Sequence, residues 1–332
     1  MIRDKVETLA MKRLNFGTFL AVWLAAAYLS TAAAEIYPNR PVRIVVPFAA
    51  GGGGDFIVRA WSEKLSEVLK QPVIIENRGG GNTAAGTDYV SKANPDGYTL
   101  LFTSTGLSTN PTLLPNLPFK TPDDFAPIAL VITYPFGMAI RSTLDVNSIP
   151  ELIAYAKKNP GKVSAATSGE GSASHLAAEQ FKDATGISLM TVPYRGAGPA
   201  MNDVAAGHVD LIFTGMSQIR PFAESKRVKV LASSGLKRLH SAPDVKTIAE
   251  QGVKGFNAVV WWGMLAPAGT PKEVVEKMNL ALRTSLAHPE VAKRLEVIDG
   301  EIRVSTPQEF DTMIREEIVR WRKLLKPTVA QP

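Results

Sequence analysis

No cysteine occurs in the 332 residues, which excludes disulfides, a cysteine-linked lipid anchor and thiolate chemistry. Histidine is nearly as scarce: His175, His208, His240 and His288 are scattered, and none has metal-ligand spacing. Neither a Gly-x-Ser-x-Gly elbow nor a His-Glu-x-x-His helix is present, so common hydrolase and zinc-protease signatures are missing. Lys and Arg number 37 against 31 Asp and Glu. That mild excess contains no basic block and argues against a nucleic-acid partner. A weakly positive field that draws in small anions is the better reading.

After residue 34 no stretch is long and apolar enough to cross a membrane. Before it, Met11-Lys12-Arg13 forms a basic start, Phe16 to Leu29 an apolar stretch, and Ala32-Ala33-Ala34 a small-residue cleavage motif. At about 14 residues the stretch falls short of the roughly 20 that span a bilayer. An export signal over 1–34 is therefore expected rather than a membrane anchor. The charged residues ahead of Met11 suit a signal poorly and leave both Met1 and Met11 as candidate starts.

What is present is a regular alternation. Short β-branched runs at 42–46, 73–76, 98–103, 131–141, 163–166, 190–192, 209–214, 228–233 and 259–265 alternate with helical patterns. That is the signature of an α/β protein with mostly parallel sheets flanked by helices. Ile57, Trp61, Leu65 and Leu69 mark one face of the helix after the first strand. Ser148, Thr270 and Thr306 each precede a proline-containing first turn with an acid three residues on, and each predicts a capped helix start. A mature chain of this length favours two lobes. With no floppy linker, the apolar segments near 128–140 and 258–267 are the expected crossings. One lobe then comprises 36–138 plus 263–332, and the other 139–262.

Ligands in open α/β sheets sit at the carboxyl ends of strands, and small polar residues recur there. The first such loop is Ala50-Gly51-Gly52-Gly53-Gly54-Asp55, and a second is Thr167-Ser168-Gly169-Glu170-Gly171-Ser172-Ala173-Ser174-His175. Both place backbone N–H groups at a predicted helix N-terminus, a ready anion site. Thr103-Ser104-Thr105-Gly106, Tyr194-Arg195-Gly196 and Thr214-Gly215 occupy comparable places. A dinucleotide fingerprint fails, because Phe56 and Ile57 stand where its third glycine belongs.

Several residues keep two readings. Asp55 is either a helix cap or a ligand group, His175 either structural or a ligand contact. Arg195 either reaches a carboxylate or pairs across the cleft. Trp261-Trp262 is either core or cleft wall, or else a stacking platform. Glu170 would repel an anion unless it points outward. The residues proposed to bind ligand are Ala50, Gly51, Gly52, Asp55, Thr103, Ser104, Ser168, Gly171, Ser172, His175, Tyr194, Arg195 and Thr214. No catalytic residue, metal or cofactor is expected.

Motifs along the whole mature chain carry a family resemblance. They include the run from Tyr37 to Gly52, Gln71-Pro-Val-Ile-Ile-Glu-Asn-Arg78, Pro95-Asp-Gly-Tyr-Thr-Leu-Leu101, Val192-Pro-Tyr-Arg-Gly196 and Leu265-Ala-Pro-Ala-Gly-Thr-Pro271. The chain resembles Bug-type periplasmic solute-binding proteins, the receptors of tripartite tricarboxylate transporters. The resemblance implies a two-lobed Venus flytrap that closes on a small carboxylate and delivers it to membrane permease subunits. Docking on a sensor kinase is the alternative. It carries ligand contacts onto Gly51, Gly52 and Asp55 in the first loop and Gly171, Ser172 and His175 in the second. Two departures stand out. Gly54 occupies a place where the family usually has Ser or Thr. Thr214-Gly215 replaces the aspartate of relatives that bind amino acids, which points to a ligand without an ammonium group.

Overall fold

A computed structural model describes residues 37–325, apart from 49, 81, 115 and 195. The expected export signal at 1–34 lies outside the described residues. Two compact units divide at Asn39 and Arg40, and all regular structure described lies in the second. Its helices and strands build two sheets flanked by helices.

The first sheet contains β1 (Val42–Val46), β2 (Val73–Asn77), β3 (Thr99–Ser104), β4 (Phe125–Pro135), β10 (Val259–Pro267) and β11 (Glu301–Ile302). Their order is β11-β4-β10-β3-β1-β2. The second contains β5 (Gly137–Arg141), β6 (Ser164–Thr167), β7 (Met190–Pro193), β8 (Leu211–Thr214) and β9 (Val228–Ser233), in the order β7-β6-β8-β5-β9. Most strands in each sheet point one way. β10 and the short β11 run against the rest of the first, and β5 against the rest of the second.

Helix α1 (Gly53–Leu69) follows β1 and buries Ile57, Trp61, Leu65 and Leu69, the face its periodicity marks. Helices α2 (Ala84–Ser91) and α3 (Gly106–Leu113) alternate with the strands of the first sheet. Helices α4 (Ile149–Lys158), α5 (Ala173–Thr185), α6 (Ala197–Ala206) and α7 (Met216–Glu224) alternate with the strands of the second. Helices α8 (Lys272–Leu286), α9 (Pro289–Leu295) and α10 (Pro307–Leu324) follow the return to the first sheet. Thr306 makes the full capping box of α10, and Ser148 caps α4. Thr270 departs from expectation: its hydroxyl donates to the Pro267 carbonyl at 2.8 Å, and Pro271 stands at the N-cap of α8.

The apolar run at 131–141 reads as one strand in the sequence but is two. The chain leaves the first sheet at Pro135 and enters the second at Gly137. It returns between Ser233 and Val259. One buried serine ties both crossings together. Ser234 Oγ accepts from the Phe136 N–H at 2.8 Å and donates to the Ala258 carbonyl at 2.5 Å. The Ser234 N–H also donates to the Phe136 carbonyl, and the Ala258 N–H to that of Ser234.

Two further contacts join the lobes. Leu176 of α5 packs with Leu113, Trp321 and Leu325. On another side, both carboxylate oxygens of Asp299 accept from Ser241, from its N–H at 2.7 Å and its hydroxyl at 2.6 Å. No helix among the described residues is long and apolar enough to cross a membrane.

Candidate ligand-binding cleft

Between the sheets lies a cleft of about 600 Å³. The first residues of six helices border it: Gly53 and Gly54 of α1, Thr83 before α2, Thr105 and Gly106 at α3, Ser172 to Ser174 at α5, Ala197 of α6, and Gly215 and Met216 at α7. Each helix start presents N–H groups without intrahelical partners and a positive dipole end. Among the described lining residues none is Lys, Arg, His, Asp or Glu. From these described residues an anion would meet neutral donors. An apolar wall of Phe48, Ile57, Phe136, Val260 and Trp262 faces them, with the Tyr134 hydroxyl set into it. Burial pushes the Tyr134 phenol above its ordinary pKa, with the Trp262 indole acting the other way, so the group stays neutral and able to donate.

Of the residues singled out in the sequence, Gly52, Ser104, Ser168, Gly171, Ser172 and Thr214 line this cleft. Ala50, Gly51, Asp55, Thr103, His175 and Tyr194 are not among its lining, and Arg195 lies outside the described residues. Several of these shape the loops from behind. Asp55 is the third residue of α1, whose N-cap is Gly52. Its carboxylate accepts from the Gly51 N–H at 3.0 Å and pairs with Arg59 at 2.9 Å. Burial works to raise the Asp55 pKa, but the Gly51 N–H and Arg59 outweigh it and hold the carboxyl below its ordinary value. The Gly51 N–H is thereby engaged within the loop. Gly51 itself sits at φ 77°, where glycine carries no steric penalty.

The second loop has the same logic. His175 Nδ1 accepts from the Gly171 N–H at 3.0 Å, which leaves Nε2 to face Glu179 at 3.6 Å. Burial opposes ionisation of Glu179, yet His175 and Lys182 prevail and lower its pKa. Ser172 caps α5, accepting from the His175 N–H at 3.3 Å and donating to the Gly169 carbonyl at 2.6 Å. Glu170 is exposed. Tyr194 donates to Asp203 at 2.7 Å. Burial, reinforced by that carboxylate, pushes its phenol up to about 12. The Thr214 hydroxyl donates to Gln218 Oε1.

Strand alternation separates neighbours that the sequence grouped. Ser104 lines the cleft, whereas Thr103 is fully buried with no hydrogen-bond partner for its hydroxyl among the described residues. Trp261 packs into the core against Phe310, while Trp262 forms cleft wall, lying 5.3 Å from the stacked Phe102 ring. Gly54 is explained by Trp262: a Cβ there would fall 2.3 Å from the indole. Sequence reasoning missed Asn82, Thr83, Tyr134 and Ser174 as lining residues. The glycine run at 79–81 ahead of Asn82 was the available signal for the first two.

Behind this wall Glu317 of α10 accepts from Trp261 Nε1 at 2.7 Å and Ser108 Oγ at 2.8 Å. Burial pushes its pKa up, and those two donors only partly oppose it. A carboxyl raised in the folded state gives its full stabilisation below its unfolded pKa and loses it as pH rises through the folded one. Glu317→Gln keeps an acceptor but cannot ionise. Its melting temperature relative to the parent should therefore rise from about pH 4 to about pH 8. A constant difference across that range would count against this assignment.

Residues 57–329 match the family described as "Tripartite tricarboxylate transporter family receptor". The chain belongs to this family. It is 32% identical over 317 residues to Protein BugT of Bordetella pertussis (strain Tohama I / ATCC BAA-589 / NCTC 13251), covering 95% of this chain and 96% of that protein. The solved structure of periplasmic binding protein BugD is 39% identical, with a TM-score of 0.72 over 87% of this chain and 97% of that one. R. palustris Rpa4515, solved with adipate, is 32% identical with a TM-score of 0.74, over 87% of this chain and 97% of that one. The fold is thus the two-lobed periplasmic binding protein fold of the family, and the BugD neighbour is a periplasmic binding protein.

Proposed function

We propose that this family member is an extracytoplasmic receptor that closes on a small carboxylate and passes it to the membrane subunits of a tripartite transporter. It would act in the periplasm after removal of an export signal near Ala34. The observation that carries the reading is the convergence of six helix starts on a cleft with no charged side chain among its described residues. Each dipole is worth about 0.3–2 kcal/mol to an anion, beside its hydrogen bonds. The adipate-bound relative supports the ligand class. The lobes are taken as 36–138 plus 263–332 and 139–262. The contacts are taken as Gly52, Ser104, Ser168, Gly171, Ser172 and Thr214, with Ala50, Gly51, Asp55, Thr103, His175, Tyr194 and Arg195 in support. A lining without carboxylates among its described residues also favours a ligand without an ammonium group. Nothing in the cleft or in the relatives favours docking on a sensor kinase.

A thermal-shift screen with malate, adipate, benzoate, nicotinate and glutamate tests the reading. A ligand at about 100 times its Kd adds roughly 2.7 kcal/mol of stability, so at least one acid should raise the melting temperature clearly. No shift with any of them would sink the proposal. Ser172→Ala removes both the α5 cap and a cleft hydroxyl. It should cost about 1 kcal/mol in denaturant unfolding and weaken the responding acid in calorimetry. Full affinity in that variant would move the contact elsewhere.

A further inference from the structure

On one side of the cleft the backbone is held in an unfavourable shape. Asn82 has φ 51° and Thr83 φ 75°, two successive non-glycine residues in the left-handed region. For a β-branched threonine this is a genuine outlier, and such strain persists only where surrounding structure imposes it. Thr87 holds part of this pair, donating from its hydroxyl to the Thr83 carbonyl at 2.9 Å, and Asn110 grips both residues. Asn110, 1% exposed within α3, donates from Nδ2 to the Asn82 carbonyl at 2.8 Å and to Thr83 Oγ1 at 3.2 Å. Its Oδ1 accepts from Asn82 Nδ2 at 2.9 Å. Among the described residues, all three hydrogen bonds of this buried amide are directed at the strained pair. Gly106 leaves room beneath it, since a Cβ there would lie 3.1 Å from Thr83 Oγ1.

The held pair faces the opposite lobe. Asn82 and Thr83 line the cleft, and a Cβ on Gly171 would lie 3.2 Å from Asn82 Nδ2. The Asn82 carboxamide therefore abuts the second glycine loop. We propose that Asn110 is a positioning residue for ligand capture: it fixes Asn82 and Thr83 in the left-handed conformation that completes the cleft against the Gly171–Ser172 loop. The inference rests on the carboxylate reading for its ligand but not for its geometry.

The test uses the full mature chain. The probe is whichever of malate, adipate, benzoate, nicotinate or glutamate stabilises the parent. Asn110→Ala should weaken that acid about tenfold or more in calorimetry, because the folded protein then spends most of its time with the pair relaxed. Adding Thr83→Gly should recover much of the loss, since glycine adopts a positive φ without penalty. A lowered melting temperature with unchanged affinity, or affinity that Thr83→Gly fails to recover, overturns the proposal. A second arm needs no ligand. Hydrogen exchange in Asn110→Ala should quicken both at 82–86 and across the cleft at 169–175. Unchanged exchange at 169–175 overturns the proposal even if no acid binds. Failure of the whole acid panel on the parent, by contrast, overturns only the carboxylate reading.

Discussion

Gly54→Ser should destabilise the protein by about 1–3 kcal/mol, the usual cost of forcing atoms into a filled core, and should also weaken ligand binding. The new Cβ would stand 2.3 Å from Trp262 Cη2, well inside contact distance. The indole cannot retreat. Phe102 is stacked on it at 5.3 Å and Phe48 lies 4.9 Å away. Its strand is paired on both sides, with β3 and with β4. The serine or threonine usual at this place in the family therefore cannot simply be restored here. Trp262→Leu in the same chain should relieve the clash, so the double variant should lose less than the two single losses combined. Urea unfolding of all three variants measures the coupling. Additive losses, or a Gly54→Ser protein as stable as the parent, would contradict this packing.

Ser234→Ala should cost about 2–6 kcal/mol, because it strips a partner from two buried backbone groups at once, at roughly 1–3 kcal/mol each. The Phe136 N–H and the Ala258 carbonyl belong to the two segments that cross between sheets. Their loss should loosen the crossing as well as the fold, lowering affinity for any ligand that needs both lobes. Ser285→Ala is the matched control. Its buried hydroxyl donates to the Ala281 carbonyl at 2.6 Å, inside helix α8, and removing it should cost far less. Equal unfolding midpoints for the two variants would show that Ser234 is an ordinary buried serine.

Much of this was legible in the residues because the relevant physics is local. The glycine loop before α1 and the caps at Ser148 and Thr306 follow from strand, turn and helix patterns alone. What stayed hidden depends on the third dimension. A continuous apolar run cannot reveal that its first half pairs in one sheet and its second in another, as happens across Phe136. Thr103 and Ser104 look equivalent at a strand end, and only pleat alternation sends one into the core and the other into the cleft. Asn82 and Thr83 are gripped by Asn110, 28 and 27 residues away in sequence, a distance no local pattern spans. Asp55 and His175 carried both readings from the start, and their hydrogen bonds to Gly51 and Gly171 show how they brace the loops.

The division of donors between the lobes bears on unloading. A cation on one jaw would keep hold of an anion after the jaws parted. Here the described donors are neutral, with the Gly52 to Gly54 turn on one side and the Ser172 to Ser174 turn on the other. On the proposed reading, parting these two turns would halve the grip of the described donors, and water would satisfy the vacated N–H groups. Release from them would then follow from separating two surfaces whose connecting segments are tied at Ser234.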